Sequence, residues 1–113
     1  MNLLDTDIVI ETIKKNDVTG IISVITLIEF LRGIDENKRL SVKRLIEESF
    51  IVLNLDDSVI EAYCKIYRKL KEEGNLLPDA DLFIASTAIA HNLVLETKDT
   101  HFLRLRALGL QLK

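Results

Sequence analysis

"LPDADLFIASTAIAHNLVLETKD", residues 77–99, sets two patterns back to back. Beyond Pro78, the stretch 82–90 is apolar on nearly every side of a helix, interrupted only by Ser86 and Thr87. A helix that is apolar all round has to be buried, and the natural cover here is a sheet. The sheet's own signature follows at once. "LVLET" (93–97) is a short, nearly continuous apolar run, as parallel strands show when both faces are covered. A buried helix running into a buried parallel strand is half of a βαβ unit.

The same alternation extends in both directions. Upstream, Leu3-Leu4 reads as a short strand, followed by a helix to about Lys15, and "GIISVI" (20–25) as a second strand. "TLIEFLRG" (26–33) predicts a helix with Thr26 as N-cap, Glu29 at the third helical position and Gly33 near the stop. "SVKRLIEESF" is a further amphipathic helix, "FIVLNL" a third strand, and "DDSVIEAYCKIYRKLKEEG" a long helix opened by acids and closed by Gly74. Downstream, "KDTHFLRLRALG" predicts a last helix and "LQLK" an edge strand. Strands separated by helices imply an α/β fold: a three-layer α/β/α sandwich around a central, mostly parallel sheet.

Composition narrows the function classes. At 113 residues the chain predicts a single domain spanning 1–113, and at 48% apolar residues it predicts a folded one. No apolar run approaches the roughly 20 residues that cross a bilayer, and the N-terminus lacks a signal-peptide pattern. The single cysteine, Cys64, excludes an internal disulfide and a Cys-rich zinc site. The expectation is a cytoplasmic protein without membrane contact, with Cys64 a small core residue. A formal net charge of −3 argues against a general nucleic-acid-binding surface. Lys14, Lys15, Lys38, Arg39, Lys43, Arg44, Arg104 and Arg106 read first as solvated helix faces, with a local basic rim as the alternative.

The acids carry the chemistry. Asp5 follows the first strand and Asp99 follows "LVLET"; Glu29 and Asp81 fall in the first turns of predicted helices. In open α/β sheets, ligands bind outside the carboxyl ends of the strands, so all four can converge on one sheet edge. Converging carboxylates repel and raise one another's pKa. A hard divalent cation removes that penalty, and oxygen-only ligands suit Mg²⁺ or Mn²⁺. Taken singly, each acid also reads as a cap. Asp5 or Asp7 would open the first helix, Thr26 and Glu29 would form a capping box, Asp79 and Asp81 would decorate a helix start, and Asp99 would cap the last helix. Only the joint placement of four favours metal.

"LLDTDIVIE", "ISVITLIEFLRG" and "LPDADLFIASTAIAHNLVLETKDTHFLRL" resemble the three signature blocks of PIN-domain proteins, in particular the VapC toxin ribonucleases. By that similarity Asp5, Glu29, Asp81 and Asp99 match the four family acids. Thr97 matches the threonine of the Thr-x-Asp motif, and Thr6 the position after the first acid; both hydroxyls would orient carboxylates or water. The resemblance implies a PIN-like fold and a Mg²⁺- or Mn²⁺-dependent endoribonuclease cutting single-stranded or loop regions of RNA, with no organic cofactor. It also implies a homodimer and a cognate antitoxin that packs over the toxin. Two alternatives stand beside the toxin: an RNA-processing PIN nuclease without antitoxin, and a non-catalytic docking module that uses the acidic pocket to bind a partner.

Asp5-Thr6-Asp7 also resembles the Asp-x-Asp opening of haloacid-dehalogenase-type phosphatases, but Ile8-Val9-Ile10 stands where Gly-Thr would follow. Asp79 reads as a cap that is second in line for the metal region. His101 reads as a packing or hydrogen-bonding residue at the start of the last helix rather than a general base, and His91 as a structural residue at a helix end. Phe30, Phe83, Phe102, Tyr63 and Tyr67 read as core or dimer contacts.

Overall fold

Short strands and long helices alternate along residues 1–113, all of which the computed structural model describes. In chain order the elements are β1 (Asn2–Leu4), α1 (Thr6–Lys14), β2 (Ile21–Ser23), α2 (Val24–Leu31), α3 (Glu36–Ser49), β3 (Ile51–Leu53), α4 (Asp57–Glu72), α5 (Asp79–Ala90), β4 (Val94–Glu96), a 3₁₀ helix (Thr100–Leu108) and β5 (Gln111–Leu112). The strands form one sheet in the order β3-β2-β1-β4-β5. Every neighbouring pair is parallel.

Alternation within three-residue strands builds two cores. Leu3, Ile21 and Leu95 point into one face, where they meet Ile66 and Leu70 of α4, Leu82 and Ile84 of α5, and Phe102 and Leu105 of the 3₁₀ helix. Leu4 and Ile22, one residue on, point to the opposite face and meet Ile8 and Val9 of α1, Leu27 and Leu31 of α2, and Ile46 of α3. The result is the expected three-layer sandwich. The all-round apolarity of α5 is accounted for, since Leu82, Ile84, Ala85, Ser86, Thr87 and Ala88 are all buried. Buried Ser86 and Thr87 return their hydroxyls to the carbonyls of Leu82 and Phe83, at 2.6 and 2.7 Å, so neither is left unpaired.

Gly20 lets the chain enter β2. Its φ of +141° is a conformation L side chains avoid, and a Cβ there would lie 2.6 Å from Leu4 Cδ1. No helix is long and apolar enough to cross a membrane.

Three expectations need correcting. Ser23, not Thr26, caps α2: its Oγ accepts from the Ile25 N–H at 3.0 Å, so the helix begins at Val24 and Glu29 lies in its second turn. The β-branched pair Val24-Ile25 imitates a strand extension, but a serine that closes the first turn outweighs that preference. Cys64 is exposed rather than in the core. The last helix is 3₁₀ rather than α, and its apolar spacing explains why. Phe102, Leu105 and Leu108 recur every third residue on the face toward the core, which three residues per turn align.

Candidate metal centre

The strand order reverses between β1 and β4: the chain leaves β1 for β2 and β3 on one side and returns to β4 and β5 on the other. Loops diverging at such a point leave a crevice beyond the strands' carboxyl ends. Asp5 is the first residue past β1, and its backbone N–H donates to the Glu96 carbonyl at 3.0 Å, pinning it to the end of β4. Its carboxylate does two things. Oδ1 accepts from the Thr6 N–H at 2.8 Å, which caps α1, and Oδ2 accepts from Thr97 Oγ1 at 2.7 Å. Capping and site geometry are therefore not rivals at this residue. At 9% exposure, Asp5 is the one buried acid of the chain.

Thr97 ties two acids together, because its Oγ1 also accepts from the Asp99 N–H at 3.0 Å. Thr6 does the same across the crevice, donating to Glu29 Oε1 at 3.0 Å. Asp99 caps the 3₁₀ helix by accepting from the His101 N–H at 2.9 Å. Asp81 stands at the third position of α5, inside the first turn. Asp5, Thr6, Asp7, Glu29, Arg32 and Asp81 line an open depression of about 280 Å³ that contains no apolar side chain. Asp99 lies next to Asp81, where oxygens of Asp81 and Asp99 and a nitrogen of His101 are within 4.8 Å of one another.

Electrostatics reports the convergence. The Asp81 carboxyl is pushed above the ordinary aspartate range, first by desolvation and then by the charges of Asp99, Asp5 and Glu29. The raised pKa is a linkage statement with a definite sign. The metal-free fold loses stability as pH climbs above 3.8, the ordinary aspartate value, because folding then confines a charge it resists. Asp81→Asn is therefore expected to raise the thermal midpoint in EDTA at pH 7. The gain should fade as pH falls toward that value; thermal scans at pH 3, 5 and 7 check it.

Thr97→Val, which keeps shape and removes the hydroxyl, strips a bond from Asp5 and the acceptor from Asp99. Outer hydrogen bonds of this kind are worth roughly 10- to 100-fold in metal affinity or turnover. A Mn²⁺ titration of this variant is expected to show a loss in that range.

The remaining predicted residues fall outside the cluster or on its rim. Asp79 is exposed and accepts from Tyr63 Oη at 2.7 Å, a bond that, ahead of burial, pushes the phenol up to about 12. Tyr63 in turn stacks on Phe83 at 4.3 Å and on Tyr67 at 5.9 Å. Asp7, exposed on α1, also lines the depression. His91 closes α5 and pairs with Asp56 at 2.9 Å, at the end of the helix remote from Asp81. None of the eight cations singled out in the sequence lines the depression. Arg32 does, with Nη2 3.8 Å from Glu29 Oε2. One helical turn from Glu29 is the single signal that would find it.

Donors of this kind fit a hard divalent ion: four carboxylates, oriented by hydroxyls, at a cost to the metal-free fold that a cation removes. Residues 3–108 match the PIN domain family. The chain is 43% identical to Ribonuclease VapC1 of Methanocaldococcus jannaschii over 97% of its own length and 85% of that protein's. Its fold is similar to that in the DNA-bound VapBC complex of Salmonella typhimurium, with a TM-score of 0.82 and 25% identity over 99% of this chain and 96% of that one. VapBC-1 of nontypeable Haemophilus influenzae gives a TM-score of 0.81 at the same identity and coverage.

Proposed function

The chain belongs to the PIN-domain family, and on that premise we propose that it is a metal-dependent endoribonuclease, the toxin of a type II toxin–antitoxin pair. Asp5, Glu29, Asp81 and Asp99 hold the ion, Mg²⁺ or Mn²⁺. The observation that carries this reading is geometric: Asp5, Glu29 and Asp81 line one polar depression, and an Asp99 oxygen lies within 4.8 Å of an Asp81 oxygen. A bound divalent ion supplies Lewis acidity, offsetting charge on the scissile phosphate and acidifying a coordinated water.

The chain's own groups prepare that chemistry. Thr97 and Thr6 each donate to a carboxylate oxygen, fixing Asp5 and Glu29 in one orientation before substrate arrives. Arg32, 73% exposed at the rim, offers its guanidinium to an RNA phosphate. An acidic site in an acidic protein cannot hold RNA by general charge attraction, so recognition rests on the shape of single-stranded or loop segments. Hydrolysis by water needs no covalent enzyme intermediate.

The antitoxin reading rests on the VapBC likeness and on an apolar groove of about 290 Å³ between α1, α2 and α3, lined by Ile13, Val18, Phe30, Val42, Leu45 and Ile46. That groove suits the apolar face of an antitoxin segment, which would extend toward the acids with a basic side chain. The protein acts in the cytoplasm as a one-domain protomer of a homodimer.

Purified protein incubated with a pool of structured RNAs tests the activity. Cleavage is expected in Mg²⁺ or Mn²⁺ and none in EDTA. Cutting that survives EDTA overturns the metal dependence, and no cutting with either ion overturns the nuclease reading.

A further inference from the structure

We propose that His101 is a ligand of the metal, and that it biases the site toward a transition ion such as Mn²⁺ over Mg²⁺. This rests on the metal-dependent reading above and refines it. The four acids offer only oxygen, a set with little power to tell the two ions apart. His101 changes the set. Its Nδ1 lies 3.3 Å from Asp99 Oδ1, and an imidazole nitrogen, an Asp99 oxygen and an Asp81 oxygen all fall within 4.8 Å. Two adjacent ligands of an octahedral ion with bonds of about 2.1 Å stand about 3.0 Å apart, and two opposite ligands about 4.2 Å. The Asp99–His101 spacing of 3.3 Å is close to the first value, and the Asp81 oxygen, within 4.8 Å of both, stands near the second.

The backbone makes this placement firm. The His101 N–H donates to Asp99 at 2.9 Å, so the two residues share one turn, and Phe102 beside them is fully buried. The imidazole itself is 65% exposed, with room to swing onto an ion without disturbing the core. Mg²⁺ favours oxygen and keeps much of its water, so a nitrogen gains it little; first-row transition ions take imidazole readily.

Pulsed electron paramagnetic resonance of the Mn²⁺-loaded protein reads the ligand directly, through coupling of the ion to ¹⁴N. The wild type is expected to show that coupling and His101→Ala to lack it. Mn²⁺ affinity should fall at least about tenfold in the variant, since loss of even an outer support of a ligand costs that much, while Mg²⁺ affinity stays within twofold. An oxygen-only Mn²⁺ spectrum in the wild type, a ¹⁴N signal that survives His101→Ala, or equal losses for both ions overturns the assignment. A wild type that binds no Mn²⁺ at all sinks the metal-nuclease reading as well. Bound Mn²⁺ with unchanged RNA cleavage and no nitrogen sinks only the role of His101.

Discussion

Asp5→Asn is expected to lower metal-dependent RNA cleavage by at least about 100-fold, the scale of losing groups that stabilise charge in the reaction. The substitution is close to isosteric. Its side-chain oxygen can still accept from the Thr6 N–H, so the cap on α1 survives and stability should change by no more than about 1 kcal/mol. What disappears is the charge, together with the bond from Thr97 Oγ1, which an amide nitrogen cannot accept. Because Asp5 is also one of the charges that lifts the Asp81 pKa, the metal-free variant is expected to melt at or slightly above the wild-type temperature. Asp7→Asn, on the exposed rim, is the matched control and should stay within a fewfold of wild type. If both variants cleave alike, Asp5 is a helix cap and nothing more. Turnover and thermal midpoint measured on the same preparations separate the outcomes.

Phe102→Ala is expected to cost about 3–5 kcal/mol in a urea titration, the range for removing a buried aromatic. The ring is fully buried, in one cluster with Leu3 and Leu95 of the sheet and Leu82 and Ile84 of α5. It is therefore the peg that fastens the 3₁₀ helix, and with it Asp99 and His101, to the rest of the fold. Since whole domains are stable by only about 5–15 kcal/mol, a loss of this size leaves a marginal protein. Its neighbour Leu103 is 49% exposed, and Leu103→Ala should stay within about 0.5 kcal/mol. Equal effects at the two positions would mean that the helix is not held by its three-residue apolar repeat.

The fold was legible in the sequence because parallel α/β architecture writes itself in alternating segment types. "LVLET" and Leu3-Leu4 have too few residues for periodicity to speak, yet the first lies between two helical segments and the second runs directly into one. The positions of Asp5, Asp81 and Asp99 were legible for a related reason: each follows a strand or a proline that fixes where a helix starts. Glu29 was placed one turn too early, since a Thr26–Glu29 capping box and a Ser23 cap look equally good until the bond to the Ile25 N–H is seen. Thr26 instead lies fully buried within α2, its hydroxyl without a partner.

Cys64 was misplaced for want of a phase. In α4 the buried residues Val59, Ile66 and Leu70 fall on one face. Cys64 comes five residues after Val59, about 140° around the helix from it, so it faces solvent whatever its polarity. Arg32 was legible only through its one-turn spacing from Glu29 on the same helix. The approach of His101 to Asp81 was beyond pattern, because it depends on how separate elements meet at the sheet edge and no local rule encodes that distance.

Anomalous diffraction from crystals soaked in Mn²⁺ is the most direct test of the claim that the sheet-edge acids hold metal. A strong peak is expected in the crevice past β1 and β4, within coordination reach of Asp5, Asp81 and Asp99, and is expected to be absent from crystals of Asp5→Asn. Wild-type crystals with no peak at that edge, or a peak only among the exposed acids of α4, would contradict that claim.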